Sequence, residues 1–467
     1  MTAPRAFAGV MTAEMLLAYL EQCLCATLQL SSSTIIGLTP VPAVREVIEK
    51  AWLWSAPMRF HEILPSLRFQ LHGTHSSHGS EAWRLDRDHC SAADFWAIDA
   101  NNPDCDGRDV YGRPEQNIAA MSDAELERLI TREIAPMVDE IGGAAIAVRM
   151  DGRTMFFNYG LAERINKRPV TSDTLFNTAS IRKVFEATLL AEAINQGELA
   201  LTDRVADYVP ELRQGEYISR VTLGQLASHT SGLLLPTDHP PWPDYRYSLS
   251  DFLRALNTWT PSEGRQPGKQ HTYTHAGYVL LQLALERRFA TPIAQLLEQR
   301  IFKPLGLLST SIPATGVDGR AQLEPAFMAR AVQGYSLDGH PIGAPGDQQG
   351  FFNFPGTGQM FSSARDLALL LAAELGELSI EPPLRDAMAT TPHGLFVISP
   401  RNTQALAWEI NNYGGPVIID KPGGLNNAST YIGMVTAKKL GIVILVNRGD
   451  QYPHEAARER ILPALAQ

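Results

Sequence analysis

Polar and apolar positions change their rhythm along the chain. In SDAELERLITREIAPMVDEI, from Ser122, apolar residues recur at helical spacing. Ser122 with Glu125 three residues on has the form of a capping box, so a helix is expected to start there. The runs AAIAVRM and TMFFNYG then read as strands, and Asp151-Gly152 between them is a two-residue hairpin signal. Near the other end, STYIGMVTA and LGIVILVN are again strand-like and meet at a short turn around Lys438-Lys439. EAARERILPALA closes the chain with helical spacing despite Pro463. Between these ends, over about 185–330, helical periodicity dominates. The pattern predicts an α/β (α+β) fold: an antiparallel sheet built from both chain ends, with flanking helices and an inserted helical subdomain.

Residues 1–116 differ from 117–467. Segments 72–91 and 99–116 are rich in turn formers and show little periodicity. The stretch 15–30 is apolar, but Glu21 and Gln22 interrupt it and only Arg5 precedes it, so it makes a poor export signal. The expectation is a weakly ordered extension or a start codon assigned too far upstream. Asn102, Asp104, Asp106 and Gly107 alternate like the first half of a calcium loop, but Arg113 stands where the closing carboxylate belongs. A polar turn is the reading preferred there, and no metal is expected.

Composition adds bounds. Hydrophobic residues make up 45% and charged residues 19% of the 467 residues, an ordinary globular balance. The formal net charge of -10 argues against nucleic acid as a partner. No uninterrupted apolar run reaches the length of a membrane span. Cys23, Cys25, Cys90 and Cys105 all lie in the first quarter, and the cysteine-free remainder suits an oxidising compartment.

The chemistry begins at Ser180-Ile181-Arg182-Lys183. The run after it is a good helix that Gly197 stops, so Ser180 is expected at a helix N-terminus with Lys183 one turn on, on the same face. A serine hydroxyl needs a base beside it, and a lysine of depressed pKa can serve. The helix N-terminus also offers the serine's own N–H to a developing oxyanion. Three further segments follow in order: His229-Thr230-Ser231-Gly232-Leu233, then Tyr273-Thr274-His275 leading into a helix, then Lys421-Pro422-Gly423 after an apolar run.

In their order and spacing these segments resemble serine β-lactamases and DD-peptidases, most closely the class C β-lactamases, with S-x-x-K, Y-x-N and K-T-G. The resemblance covers about 120–467. It implies a β-lactamase/transpeptidase-like fold, acylation of Ser180, and proton transfer shared by Lys183 and Tyr273. Lys421 would support the tyrosine or hold a substrate carboxylate, and the backbone N–H groups of Ser180 and Gly424 would form the oxyanion hole. His275, Pro422, Gly423 and Arg458 are the candidate substrate-binding positions. No cofactor is implied. The partners implied are small molecules: a β-lactam, an ester or a D-Ala-D-Ala peptide. The resemblance further implies a monomer in the periplasm or outside the cell.

Two residues depart from that pattern. His275 stands at the Asn position, and an imidazole cannot reproduce both ends of a carboxamide. Pro422 stands at the Thr position and removes a hydroxyl and an N–H. If Gly424 aims its N–H at substrate, residue 422 faces the cleft too, so Pro422 need not cost a ladder bond and suits an edge strand. His229 is read as a buried structural residue, Glu186 as a packing or solvent-facing one, and Arg458 as a surface arginine or a replacement carboxylate binder. Three activities follow in order of preference: a class C-like β-lactamase; a DD-peptidase or carboxylesterase; and a penicillin-binding or sensor protein that deacylates slowly.

Overall fold

The computed structural model describes residues 121–138, 141–233, 249–315, 321–345, 360–449 and 451–467, with the backbone of 70–74 and 82–86. The chain divides into two units, Met1–Asn117 and Ile118–Gln467. In the first, Gln70–Thr74 pairs antiparallel with Ala82–Asp86. The four cysteines, the stretch 15–30 and the calcium-like turn lie outside the described residues.

In the second unit, helix α1 (Asp123–Val138) starts as its cap foretells: Ser122 Oγ accepts from the Glu125 N–H at 3.3 Å, and Glu125 Oε2 accepts from the Ser122 N–H at 2.9 Å. Strands β1 (Gly143–Met150) and β2 (Arg153–Glu163) then pair across Asp151-Gly152, whose φ values of 53° and 69° fit a tight right-twisted hairpin. The remaining strands of this sheet are β3 (Arg168–Pro169), β4 (Phe396–Ser399), β5 (Asn402–Gln404), β6 (Glu409–Asn411), β7 (Ile418–Leu425), β8 (Ala428–Val435) and β9 (Leu440–Val446). They lie in the order β4-β5-β6-β7-β8-β9-β1-β2-β3, antiparallel throughout. The two chain ends meet where β9 pairs with β1.

Helices cover both faces, which is why β9 is buried along its whole length and reads as an unbroken apolar run. Ile146, Val148, Ile442 and Ile444 pack with α1 and the closing helix. Ala145, Ala147, Val443 and Leu445 face the other way, into the larger core with helices α2 (Arg182–Asn195), α3 (His275–Phe289) and α4 (Ala364–Glu374). Among the described residues, nothing between Pro169 and Phe396 adds a strand to this sheet. The helical insertion is therefore longer than 185–330, since α4 and the helix Pro382–Thr390 also belong to it. The closing segment is helical over Pro453–Ala456 and Leu462–Leu465, with a π turn at Ala457–Ile461 between them. Pro463 has no N–H to give an α-helical ladder, and the wider turn just ahead of it absorbs that loss.

Candidate active site

Ser180 sits in a single 3-10 turn, Ala179–Ile181, that runs into α2. Ala179 adopts φ 50°, a left-handed conformation unfavourable for a residue with a Cβ. The surroundings impose it. Asn177 Oδ1 accepts from the Ala179 N–H at 3.1 Å, and the Thr178 carbonyl accepts from Thr430 Oγ1 on β8 at 2.9 Å. Thr178 also donates its N–H to the Met360 carbonyl at 2.8 Å. The turn that carries Ser180 is thus pinned to the sheet on one side and to the insertion on the other.

Tyr273 comes from the loop before α3, whose first turn is capped by Thr274 Oγ1 accepting from the Ala276 N–H at 3.1 Å. His229 holds that loop. Its carbonyl accepts from the Thr272 N–H at 2.8 Å and its Nδ1 from the Thr274 N–H at 3.3 Å. Its ring lies 4.3 Å from that of Tyr273, and the residue is fully buried. This is the structural role read from the sequence. Burial, then Lys421 and Lys183, hold the His229 imidazole far below its usual pKa, so it is neutral.

The candidate reacting groups converge. Ser180 Oγ lies 2.7 Å from Tyr273 Oη and 3.4 Å from Lys183 Nζ. Lys421, from β7, places its Nζ 4.8 Å from the centre of the Tyr273 ring. The two lysines are driven apart in pKa. Burial, then Lys421, lowers Lys183 against the opposing pull of Tyr273. Burial lowers Lys421 too, but Glu409 and Tyr273 outweigh it and raise the net value. Tyr273 is 37% accessible, but its hydroxyl end is enclosed by these groups. That enclosure raises its pKa, and Lys183, Lys421 and the Ser180 hydrogen bond more than reverse it. The arrangement can take a proton from Ser180 and return it to a departing atom.

Pro422 lies opposite Tyr431 of β8. The strand is internal to the sheet as a whole, but β6 pairs only with residues 418–420 of it. Past Asp420 the cleft side of β7 is a local edge, so the missing N–H of Pro422 breaks no rung there. At Gly423 a Cβ would lie 2.3 Å from Thr430 Oγ1 and 2.8 Å from the Thr178 carbonyl. Its bareness lets β7 seat against the turn that carries Ser180. A Cβ at Gly424 would meet nothing within 4 Å.

His275 opens α3, with its ring 5.6 Å from that of Tyr273. Burial, then Lys183 and Lys421, hold its imidazole far below the usual value, so it adds no cation beside Lys183. Arg458 corrects both expectations for it. Its Nε donates to Asp420 Oδ2 at 2.6 Å, and its Nη2 donates to Asp420 Oδ1 at 2.7 Å and to Glu409 Oε2 at 2.9 Å. It is neither a surface arginine nor a free carboxylate binder. Of the two readings of Glu186, the packing one holds and the solvent-facing one does not: it is wholly buried and ion-paired with Arg182 at 2.7 Å.

Sequence reasoning missed Glu409 and Asp420. Asp420 had a signal, a lone carboxylate inside the apolar run VIID, since a charge there must be paired. Glu409 had none. Its Oε1 accepts from Lys421 Nζ at 3.0 Å. Burial raises Glu409, and Lys421 and Arg458 together bring it below the ordinary carboxylate value. Among the described residues, no three His, Cys, Asp or Glu side chains are grouped to hold a metal ion.

The family model described as Beta-lactamase matches residues 130–466. A β-lactamase of Pseudomonas fluorescens is 27% identical over 73% of this chain and 99% of its own length. One of Escherichia coli K12 is 26% identical over 73% of this chain and 94% of its own. Among solved structures, the D-alanine carboxypeptidase AmpC from Burkholderia cenocepacia superposes with a TM-score of 0.63 at 29% identity, covering 74% of this chain and all of its own. A class C beta lactamase from Rhodobacter sphaeroides gives a TM-score of 0.61 at 30% identity, over 73% of this chain and 98% of its own.

Proposed function

Because the chain belongs to the Beta-lactamase family, we propose that it is a class C-like serine β-lactamase working through an acyl-enzyme on Ser180. The observation that carries the residue assignment is the contact of Ser180 Oγ with Tyr273 Oη at 2.7 Å and Lys183 Nζ at 3.4 Å. In acylation the Ser180 oxygen attacks the substrate carbonyl carbon and its proton passes to the Tyr273–Lys183 pair. The two groups share that proton, so the base is the pair rather than either residue. The backbone N–H groups of Ser180 and Gly424 receive the oxyanion. As the tetrahedral intermediate collapses, the pair protonates the departing nitrogen or oxygen. Water then takes the place of the leaving group and attacks the acyl carbon while the same pair removes its proton; the bond from the acyl carbon to Ser180 Oγ breaks, and the pair returns the proton to Ser180.

A second reading is a carboxylesterase or DD-peptidase on the same scaffold, and its ester arm is favoured by Pro422 and by the engagement of Arg458 with Asp420 and Glu409. Both remove polar contacts that a β-lactam carboxylate would use. By relationship the proposed place of work is the periplasm or the exterior, with the protein acting as a monomer on small molecules.

One set of assays separates the readings. The purified protein is given a chromogenic cephalosporin, a nitrophenyl ester and a D-Ala-D-Ala peptide, with Ser180→Ala as control. Cephalosporin turnover supports the first reading, and turnover of ester or peptide alone supports the second. A penicilloyl adduct that persists on Ser180 points instead to a sensor. The Ser180→Ala protein is expected to lose activity by about 10⁴-fold or more on the best substrate. Full retention would overturn the mechanism.

A further inference from the structure

We propose that His271 is a specificity-determining residue whose Nδ1 accepts a hydrogen bond from an N–H on the leaving portion of the substrate. The inference deepens the hydrolase reading above and rests on it. A cavity of about 450 Å³ opens beside Tyr273 and Lys421, and His271 forms part of its wall. The Tyr273–Lys183 pair protonates the departing atom, and Tyr273 also lines this cavity, so the leaving portion enters it. The contact is a second one, apart from any substrate carboxylate that Lys421 holds.

A chain of bonds fixes the tautomer of His271. Gln404 Nε2 donates to the carbonyls of Ala405 and Trp408 at 3.0 and 2.9 Å. Carbonyls only accept, so the amide nitrogen must face them and Gln404 Oε1 must face the imidazole. His271 Nε2 lies 3.0 Å from that oxygen and therefore carries the hydrogen. Burial, with Lys421, outweighs the Gln404 bond and Glu409 and holds the ring below its usual pKa, so it is neutral at pH 7. A neutral imidazole protonated at Nε2 has a lone pair at Nδ1. Among the described residues nothing bonds that atom, and the half-buried ring is steadied by His229, packed edge-to-face at 6.0 Å.

The neighbouring side chains suit an entering donor as well. Cross-strand register sets Gln404 beside Glu409 and Asn402 beside Asn411, and all four line the cavity. Their amide donors are largely engaged within the protein. Asn402 Nδ2 donates to Asn411 Oδ1 at 2.7 Å and to Tyr413 Oη at 3.0 Å, and Asn411 Nδ2 donates to Asp420 Oδ1 at 2.9 Å. Glu409, its side chain 27% exposed, adds a second acceptor to the same wall. An N–H entering here meets acceptors, whereas a methyl group in its place meets none.

The test uses two cephalosporins with the same 7-acyl chain, one carrying a 3-carbamoyloxymethyl and the other a 3-acetoxymethyl group. They differ by NH2 for CH3, and both keep the ring carboxylate. A matching pair of phenylacetyl esters, of 3-hydroxybenzamide and of 3-hydroxyacetophenone, makes the same exchange in an ester. Rates are corrected for hydroxide-catalysed hydrolysis. At pH 7.5 the full-length protein is expected to favour the NH2 member about fivefold in kcat/KM, in whichever pair it turns over. His271→Phe keeps a flat ring and removes the acceptor, and is expected to bring the two members within about twofold. His271→Leu serves if the first variant does not fold. Equal rates in the unmodified protein, a preference for the CH3 member, or a preference that survives the loss of His271 would overturn the inference while leaving the hydrolase reading intact. If no member of either pair acylates Ser180 by intact mass, the hydrolase reading falls and takes the inference with it.

Discussion

Lys183 and Lys421 carry the same side chain and meet opposite surroundings. Lys183 has no carboxylate in contact and a second ammonium nearby, so burial lowers it; Lys421 has Glu409 at 3.0 Å and is raised. Of the two lysines beside Tyr273, Lys421 therefore holds its proton more firmly. Replacing it by glutamine removes a positive charge that lowers both Tyr273 and Lys183. Both groups then hold their protons more tightly, so the acid limb of the kcat/KM profile is expected to move to higher pH, as a pH series on Lys421→Gln would show. The departures at His275 and Pro422 belong to the same scale. Each lost polar contact weakens transition-state binding by about 1–3 kcal/mol, or about ten- to a hundredfold in rate. His275→Asn with Pro422→Thr is accordingly expected to raise cephalosporin turnover, and unchanged rates would refute that account of the two positions.

At the scale of elements, β7 carries Lys421, Pro422, Gly423 and Gly424, and it works because part of one internal strand is left unpaired on the cleft side. The adjacent glycines do different things. A methyl group at Gly423 would collide with Thr430 and the Thr178 carbonyl, displacing the turn that holds Ser180. Gly423→Ala is expected to lower kcat/KM by about a hundredfold or more, since a shift of about 1 Å at the nucleophile has that effect. Gly424→Ala adds its methyl to open space and keeps the N–H, so it is expected to stay within a few-fold of the parent. Steady-state kinetics on the pair, with thermal melts to monitor folding, checks both.

At the scale of the whole sheet, one buried side chain reinforces the join that the β9–β1 ladder makes between the two chain ends. Asn447, just after β9, accepts from the Gly143 N–H at 2.6 Å. It donates to the carbonyls of Leu161 at 3.1 Å and Gln333 at 2.9 Å. It thereby ties the last strand to the first two and to the insertion. Asn447→Ala leaves buried donors and acceptors without partners and is expected to destabilise the unit by about 2–4 kcal/mol, read as a lower urea midpoint. The buried Arg182–Glu186 pair is the comparable feature inside the insertion. Glu186→Ala strands an arginine that is 1% exposed, with an expected loss of about 3–5 kcal/mol.

The sequence by itself determined what local physics can encode. The capping box at Ser122, the Asp151-Gly152 hairpin and the apolar runs of β1, β8 and β9 all depend on residues adjacent in the chain. So does Lys183, one turn beyond Ser180. The order of Ser180, Tyr273 and Lys421 was legible as well, through likeness to a known pattern. Only the tertiary structure decided what depends on residues far apart in sequence meeting in space. Glu409 and Asp420 bind Arg458 from 49 and 38 positions away, and no periodicity records such a meeting. The same holds for Gly423, whose required bareness comes from Thr178, Ala179 and Thr430. The identity of the reacting groups is written in sequence because each needs a particular side chain. Their charge is set by neighbours that arrive only when the chain is folded.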